Sequence, residues 1–246
     1  MIRLIISAAT GRSGSTLLQR ICNARKETLI WGEHYGIIKD FANIYDNLVY
    51  FSEQSRNERT AFFDRNKDTG LWTANMTPEL PYVEQAVINA VTAALDTLYG
   101  QFAEKHDIVG FKEVRYGERE LRLLRKCYPD CPFLLLVRHP VPSWASAPTW
   151  YRDIDDFAGV WNERAGFYAE YARQDPNSLL IRYEDLVDRD PKTLKRLSEV
   201  TKVPVPDMIG VLSKKVGSFN PEPVTKEQRE EIVTKCRPVM KTLLYR

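Results

Sequence analysis

Short apolar runs separated by amphipathic stretches set the grammar of the chain. Residues 2–9 (IRLIISAA) are a compact apolar run that breaks at Thr10-Gly11, after which Leu17, Leu18 and Ile21 fall at helical spacing, so the segment predicts strand, loop, helix. The same order recurs at IVGF (108–111) and FLLLVR (133–138), each followed by a charged, periodic stretch, and SLLIRY (178–183) reads as a fourth strand of this kind. A shorter strand candidate precedes Trp31. Strands that are apolar on both faces and alternate with helices imply an α/β fold, three layers with a mostly parallel central sheet. In such sheets ligands bind beyond the carboxyl ends of the strands.

Between Trp31 and Tyr82 the periodicity loosens, yet that stretch carries ten aromatic residues, among them Trp31, Tyr35, Phe41, Tyr45, Tyr50, Phe51 and Trp72. The expectation is one domain over 1–246 with a helical, aromatic-rich insert at about 34–105. Its aromatics either pack a helical layer or together line a pocket.

Composition narrows the function classes. The 246 residues are 43% apolar and 28% charged, an ordinary globular balance that excludes a disordered tail or a fibrous repeat. A net charge of +2 argues against broad nucleic-acid binding but permits a local anion pocket. The positive charge is concentrated late, with residues 213–246 carrying a net +4. No apolar run approaches the roughly 18 residues needed to cross a bilayer, so no membrane association is expected. A cleavable leader would have to delete the best motif in the chain, which points to a cytosolic protein. Four cysteines form no C-x-x-C pair and lie far from the three histidines, so no zinc site is expected.

That motif is Thr10-Gly11-Arg12-Ser13-Gly14-Ser15-Thr16-Leu17-Leu18, between the first strand and a helix. Glycines let the backbone curl so that successive N–H groups point at one anion, and the helix start adds about half a positive charge. An ordinary turn with a serine cap would explain Gly14 and Ser15 but not Arg12. The loop is P-loop-like without being a nucleotide-triphosphate loop, because Ser15 follows Gly14 where G-x-x-x-x-G-K-[ST] requires lysine. No strand-end aspartate offers itself to magnesium. A second signal is Arg138 at the end of FLLLV, followed by Pro140 and, about two helical turns on, Ser146. Arginine there presents a planar five-donor cation at the ligand edge, or else serves a structural ion pair.

Taken together, Gly11 to Thr16 with Arg138 and Ser146 resembles the sulfotransferase family that uses 3′-phosphoadenosine 5′-phosphosulfate (PAPS), and Ile181-Arg182-Tyr183-Glu184-Asp185-Leu186 resembles a third family segment. The likeness runs as an ordered series over about residues 4–223, with 40–105 unmatched. The resemblance implies that Arg12, Ser13, Gly14, Ser15, Thr16 and Leu17 contact the 5′-phosphosulfate, that Arg138 and Ser146 hold the 3′-phosphate, and that Tyr183 lies near the nucleotide. Lys214, Lys215, Gly217 and Ser218 resemble the late basic loop that closes over the donor; solvated lysines are the alternative. Arg12 stands where small-molecule members have lysine and resembles the carbohydrate and protein-tyrosine branch. Arginine keeps its proton, so Arg12 would stabilise charge and not act as an acid.

The Gly32-Glu33 pair resembles the segment that supplies the catalytic glutamate in protein-tyrosine sulfotransferases. Glu33 is the first candidate for the base and His34 the second. Neighbouring aromatics are expected to raise the Glu33 pKa. Lys112, at the end of another strand, would neutralise charge on the sulfuryl oxygens, or else form a structural pair with Glu113. His139 reads as structural support and His106 as exposed. The implied activity is metal-independent sulfuryl transfer from PAPS to a small-molecule, carbohydrate or peptide hydroxyl, with 3′-phosphoadenosine 5′-phosphate (PAP) as product. A P-loop-type kinase or hydrolase lacking the standard lysine, or a non-catalytic phosphonucleotide-binding module, competes with it.

Overall fold

The computed structural model describes residues 2–146, 149–214 and 223–245. Five strands run through it: β1 (Leu4–Ala8), β2 (Thr28–Trp31), β3 (Ile108–Glu113), β4 (Phe133–Val137) and β5 (Ser178–Arg182). They form one parallel sheet in the order β2-β3-β1-β4-β5. The three central strands are buried at every residue, which is why they read as unbroken apolar runs, whereas β2 and β5 lie at the edges and alternate. Register aligns Ile6 with Lys112 and Ala8 with Leu136, so the strands end nearly level. Gly110 permits the close approach of β3 to β1: a Cβ there would lie 1.8 Å from the Leu4 carbonyl oxygen.

Because side chains alternate along a strand, β1 feeds two cores. Leu4, Ile6 and Ala8 pack with Leu134, Leu136 and Ile181 against α1 (Ser15–Cys22), α8 (Tyr183–Val187), α9 (Pro191–Thr201) and α10 (Val205–Leu212). On the other face, Ile5 joins Phe111, Phe133 and Leu135 beneath α5 (Glu118–Cys127), α6 (Pro140–Ala145), α7 (Ile154–Gln174) and α11 (Lys226–Thr242). Burial of each such Leu, Ile or Phe side chain contributes about 1.5–3 kcal/mol. Helix starts are marked locally: Asp153 caps α7 through the Asp156 N–H at 2.8 Å, and Asp190 caps α9 through the Thr193 N–H at 2.8 Å.

The aromatic-rich stretch is helical, as expected, in three pieces: α2 (Ile38–Gln54), α3 (Arg56–Asp64) and α4 (Leu80–Leu98). What holds it to the body is mainly aliphatic, joined by Phe41 and Tyr45 of α2, which pack against the same core. Val83, Val87, Val91 and Leu95 make a buried stripe on α4, whereas Tyr50, Phe51, Phe63, Trp72 and Tyr82 are exposed. Among the described residues, no helix is long and apolar enough to cross a membrane.

Candidate active site at the carboxyl edge of the sheet

Every strand delivers a site residue at its carboxyl end. In sheet order these are Glu33 after β2, Lys112 on β3, the loop from Thr10 to Gly14 after β1, Arg138 after β4 and Tyr183 after β5.

The loop after β1 is shaped by two left-handed residues, Arg12 at φ 62° and Gly14 at φ 91°. Thr10 and Ser13 brace it from inside, with their hydroxyls 2.7 Å apart and the Ser13 hydroxyl donating to the Thr10 carbonyl at 2.8 Å. Ser13 is thus committed to the loop's own fold. Gly14 opens α1 with no side-chain cap, so the first-turn N–H groups are offered outward to an anion. Ser15 is buried there, Thr16 is exposed, and Leu17 packs on the core beside α10. The two glycines are needed for contact as well as for φ. A Cβ on Gly14 would lie 2.2 Å from the Tyr183 ring, and one on Gly11 would lie 2.3 Å from the Trp150 indole.

Arg138 meets this loop directly. Its Nη1 donates to the Arg12 carbonyl at 2.8 Å, and its guanidinium lies over the Tyr183 ring at 4.5 Å. Its Nε–H is buried without a protein partner, as is the Ser143 hydroxyl one turn into α6. Such unpaired groups each cost about 1–3 kcal/mol until an acceptor satisfies them, so the residues present suit an anionic ligand. Helix α6 is shorter than the two turns expected, and Ser146 caps its end. The Ser146 hydroxyl donates to the Pro142 carbonyl at 2.9 Å, and its own carbonyl accepts from Arg12 Nε at 3.2 Å. Behind Arg138, the Trp161 indole donates to its carbonyl at 3.0 Å. His139 supports the helix start: its Nδ1 accepts from the Val141 N–H at 3.2 Å, and its own N–H donates to Glu184 at 2.9 Å. Tyr245 secures the other Glu184 oxygen at 2.8 Å.

On the β2–β3 side, Glu33 is held by two cations. Lys112 Nζ donates to Oε1 at 2.5 Å and Arg115 Nη1 to Oε2 at 2.9 Å. This corrects two expectations. Partial burial is the largest single influence on the Glu33 carboxyl and pushes its pKa up, but the hydrogen bonds and charges of Lys112 and Arg115 together outweigh it and hold the pKa below the ordinary range. Lys112 does not pair with Glu113, because neighbours on a strand face opposite ways. Glu113, fully buried, instead accepts from Arg115 at 2.6 Å, from the Val114 N–H at 2.8 Å and from the Gly36 N–H at 2.7 Å.

His34 points inward. Its Nδ1 lies 2.6 Å from the Tyr99 hydroxyl and its Nε2 is hydrogen-bonded to Tyr116, so both ring nitrogens are occupied. Burial lowers its pKa and outweighs the opposing pull of Glu113. His106, expected to be exposed, is half-buried with Nδ1 2.7 Å from the Phe102 carbonyl. Lys214 is exposed just after α10, while Lys215, Gly217 and Ser218 lie outside the described residues.

Arg115 and Trp150 were not singled out in the sequence. The Arg115 guanidinium lies 4.6 Å from the Tyr35 ring centroid and 5.8 Å from that of Trp150, which itself rests on Gly11. The only local cue was Arg115 three residues beyond Lys112 at a strand end. A cavity of about 490 Å³ between α2, α3 and the start of α4 contains none of these residues.

Comparison with known proteins bears on the fold and the family. No curated protein matches the chain. Solved structures that share its fold include two sulfotransferase domains. A sulfotransferase domain from the curacin biosynthetic pathway is 16% identical over 100% of this chain and 99% of its own, with a TM-score of 0.55. A sulfotransferase domain from the Synechococcus PCC 7002 olefin synthase is 18% identical over 100% of this chain and 95% of its own, with a TM-score of 0.57. The family model described as "Sulfotransferase family" matches residues 5–207, from β1 to the start of α10. With that match spanning most of its length, the chain belongs to the sulfotransferase family, an enzyme family that uses PAPS.

Proposed function

We propose that the chain moves a sulfuryl group from PAPS to an acceptor hydroxyl by in-line displacement at sulfur, releasing PAP without need of a metal. The observation that carries this reading is the juxtaposition of an uncapped helix start after β1 with Arg138, whose buried Nε–H lacks a protein partner. The loop amides from Ser13 to Thr16, with the side chains of Arg12 and Thr16, receive the 5′-phosphosulfate, while Leu17, whose N–H donates to the Gly14 carbonyl at 2.9 Å, closes the first turn behind them. Arg138 takes the 3′-phosphate, with Ser143 offering a hydroxyl donor and Ser146 fixing Arg12. Tyr183, stacked under Arg138 and against Gly14, holds the nucleotide between the two anion sites. Lys214, Lys215, Gly217 and Ser218 are assigned to closure over the donor.

In the transfer step the acceptor oxygen attacks sulfur as the bond from sulfur to the bridging phosphate oxygen breaks. The hydroxyl proton passes to Glu33, and the bridging electron pair leaves on the phosphate of PAP. Glu33 is favoured over His34 because the ring nitrogens of His34 are both taken by tyrosine hydroxyls. Lys112 and Arg12 neutralise charge on the sulfuryl and bridging oxygens; oriented donors of this kind contribute about 10²–10³-fold each. The donor is already activated, so most of the remaining acceleration comes from holding oxygen, sulfur and leaving group in line.

The acceptor is a small-molecule, carbohydrate or peptide hydroxyl. Exposed rings beside the base, Tyr35 above all, favour one with an apolar or ring-bearing body. The test is incubation with PAPS and a panel of phenols, sugars, aliphatic alcohols and tyrosyl peptides in the presence of EDTA. Release of PAP together with a sulfated product detected by mass spectrometry is expected. Phosphoryl transfer from magnesium-ATP, with PAPS inert, would overturn the reading in favour of a kinase-like enzyme.

A further inference from the structure

Glu33 has two carboxylate oxygens, and a base must present one of them to the acceptor in a fixed place. The two are held differently. Oε1 is bound by Lys112, a single ammonium on a flexible stem. Oε2 is bound by Arg115, whose planar group is held by two carboxylates and two aromatic rings. Its Nη1 bridges Glu33 and Glu113 at 2.9 and 2.6 Å, and its faces meet Tyr35 and Trp150. Glu113 is fully buried and pinned by the N–H groups of Val114 and Gly36. Tyr35 and Gly36 are both left-handed, at φ 64° and 77°, a tight turn that brings the Gly36 N–H to Glu113 and the Tyr35 ring to Arg115. A non-glycine residue held in that region stores backbone strain, which persists where the surroundings over-determine it.

We propose that Arg115 is a positioning residue for the base: it anchors Oε2 of Glu33 to the buried Glu113 and, through Trp150 resting on Gly11, registers that carboxylate against the donor loop, leaving Oε1 as the oxygen that takes the proton. The inference rests on the reading of Glu33 as the base. When the sulfuryl group draws Lys112 away, Oε1 is released while Oε2 stays fixed, so the carboxylate gains basicity without losing its aim. The four side chains Glu33, Glu113, Lys112 and Arg115 sum to zero charge, and Arg115 alone touches both carboxylates. The ionisable groups facing Glu33 are Lys112, Arg115 and the neighbouring His34, with Glu113 beyond Arg115.

The experiment needs no acceptor. Glutamate labelled with ¹³C at the side-chain carboxyl is incorporated, the Glu33 signal is assigned with Glu33→Gln, and its titration is followed by NMR in the wild type, Arg115→Gln and Glu113→Gln. The wild-type midpoint is expected below that of an ordinary glutamate. In Arg115→Gln it rises, because a cation is lost. In Glu113→Gln it falls further, because Arg115 then serves Glu33 alone. Opposite shifts are what the paired charges at Arg115 produce and what loosened packing does not. Should Arg115→Gln fail to fold, Glu113→Gln carries the test by itself. A Glu33 midpoint that stays at the wild-type value in the folded variants overturns the proposal. Calorimetric titration of the same proteins with PAP separates the two readings. PAP affinity is expected to be unchanged by either substitution, and failure of the wild type to bind PAP would sink the donor assignment while the titration shifts still decide the role of Arg115.

Discussion

The ends of β1, β4 and β5 and the ends of β2 and β3 lie along one sheet edge, yet they are built in different ways. The first group works through backbone and single side chains: a left-handed turn at Gly14, an uncapped helix start, an arginine with a buried unpaired N–H, and a tyrosine ring against a glycine. Its polarity points outward and awaits a ligand. The second group is closed on itself. Glu33 meets Lys112 and Arg115 across 79 and 82 positions of sequence, and Glu113 completes a neutral cluster. On the proposed reading, a surface that holds a fixed, multiply charged donor leaves its own donors unpaired, and one that only accepts a proton keeps its carboxylate poised by paired charge.

The sharpest way to break this contrast is to remove the proposed base. Glu33→Gln is expected to lower the rate of sulfuryl transfer by about 10²–10⁴-fold while leaving PAP affinity unchanged, as measured by product formation and calorimetry side by side. A parallel loss of PAP binding would mean that the two halves are not separable. On the donor side, Arg138→Ala should weaken PAP by about 10–100-fold, the worth of one or two charge-assisted hydrogen bonds, and leave adenosine 5′-phosphosulfate binding nearly intact. Equal losses for both nucleotides would deny Arg138 its role as reader of the 3′-phosphate.

Smaller effects sharpen the comparison. Gly14→Ala forces a Cβ into the left-handed region and onto the Tyr183 ring, at an expected cost of about 1–3 kcal/mol by chemical denaturation, with PAP binding reduced in step. The β2 side should show itself in pH dependence. Burial disfavours the charged form of His34, so the folded protein refuses a proton that the unfolded chain accepts below about pH 6.5; stability is therefore expected to decline as pH falls through that value. His34→Gln should flatten this step in a denaturation series. Glu33 acts in the same sense further down: its depressed pKa contributes stability that is present above the ordinary glutamate value and is lost as pH falls through the folded one. Least affected should be the exposed aromatics of the helical segment: Tyr82→Ser is expected to change stability by no more than about 0.5 kcal/mol and to act, if anywhere, on acceptor KM.

The same division explains what the sequence disclosed. Strands β1, β3, β4 and β5 were legible because burial on both faces writes continuous apolar runs. The donor loop was legible because its glycines, hydroxyls and helix start must be contiguous. Arg115 and Trp150 were not, since each acquires meaning only from residues that the sheet brings beside it. Lys112 and Glu113 are neighbours in sequence and so offer themselves as a pair, the alternative to a role for Lys112 at the sulfuryl group, although strand alternation sends one to Glu33 and the other into the core under Gly36. The aromatic enrichment of the segment after β2 suggests a packed layer or a pocket; Phe41 and Tyr45 do pack against the core, whereas Trp72 and Tyr82 stand 74% and 72% exposed and the buried stripe of α4 is made of valines and Leu95.

The central claim is that the β1, β4 and β5 ends form a site for a 3′-phosphorylated nucleotide, and calorimetric titration tests it most directly. PAP and ADP are titrated into the wild type and Arg138→Ala, each with and without magnesium. The account predicts tight, metal-independent binding of PAP that exceeds ADP and weakens by about 10–100-fold in the variant. Equal or better binding of magnesium-ADP, unaffected by loss of Arg138, would contradict it.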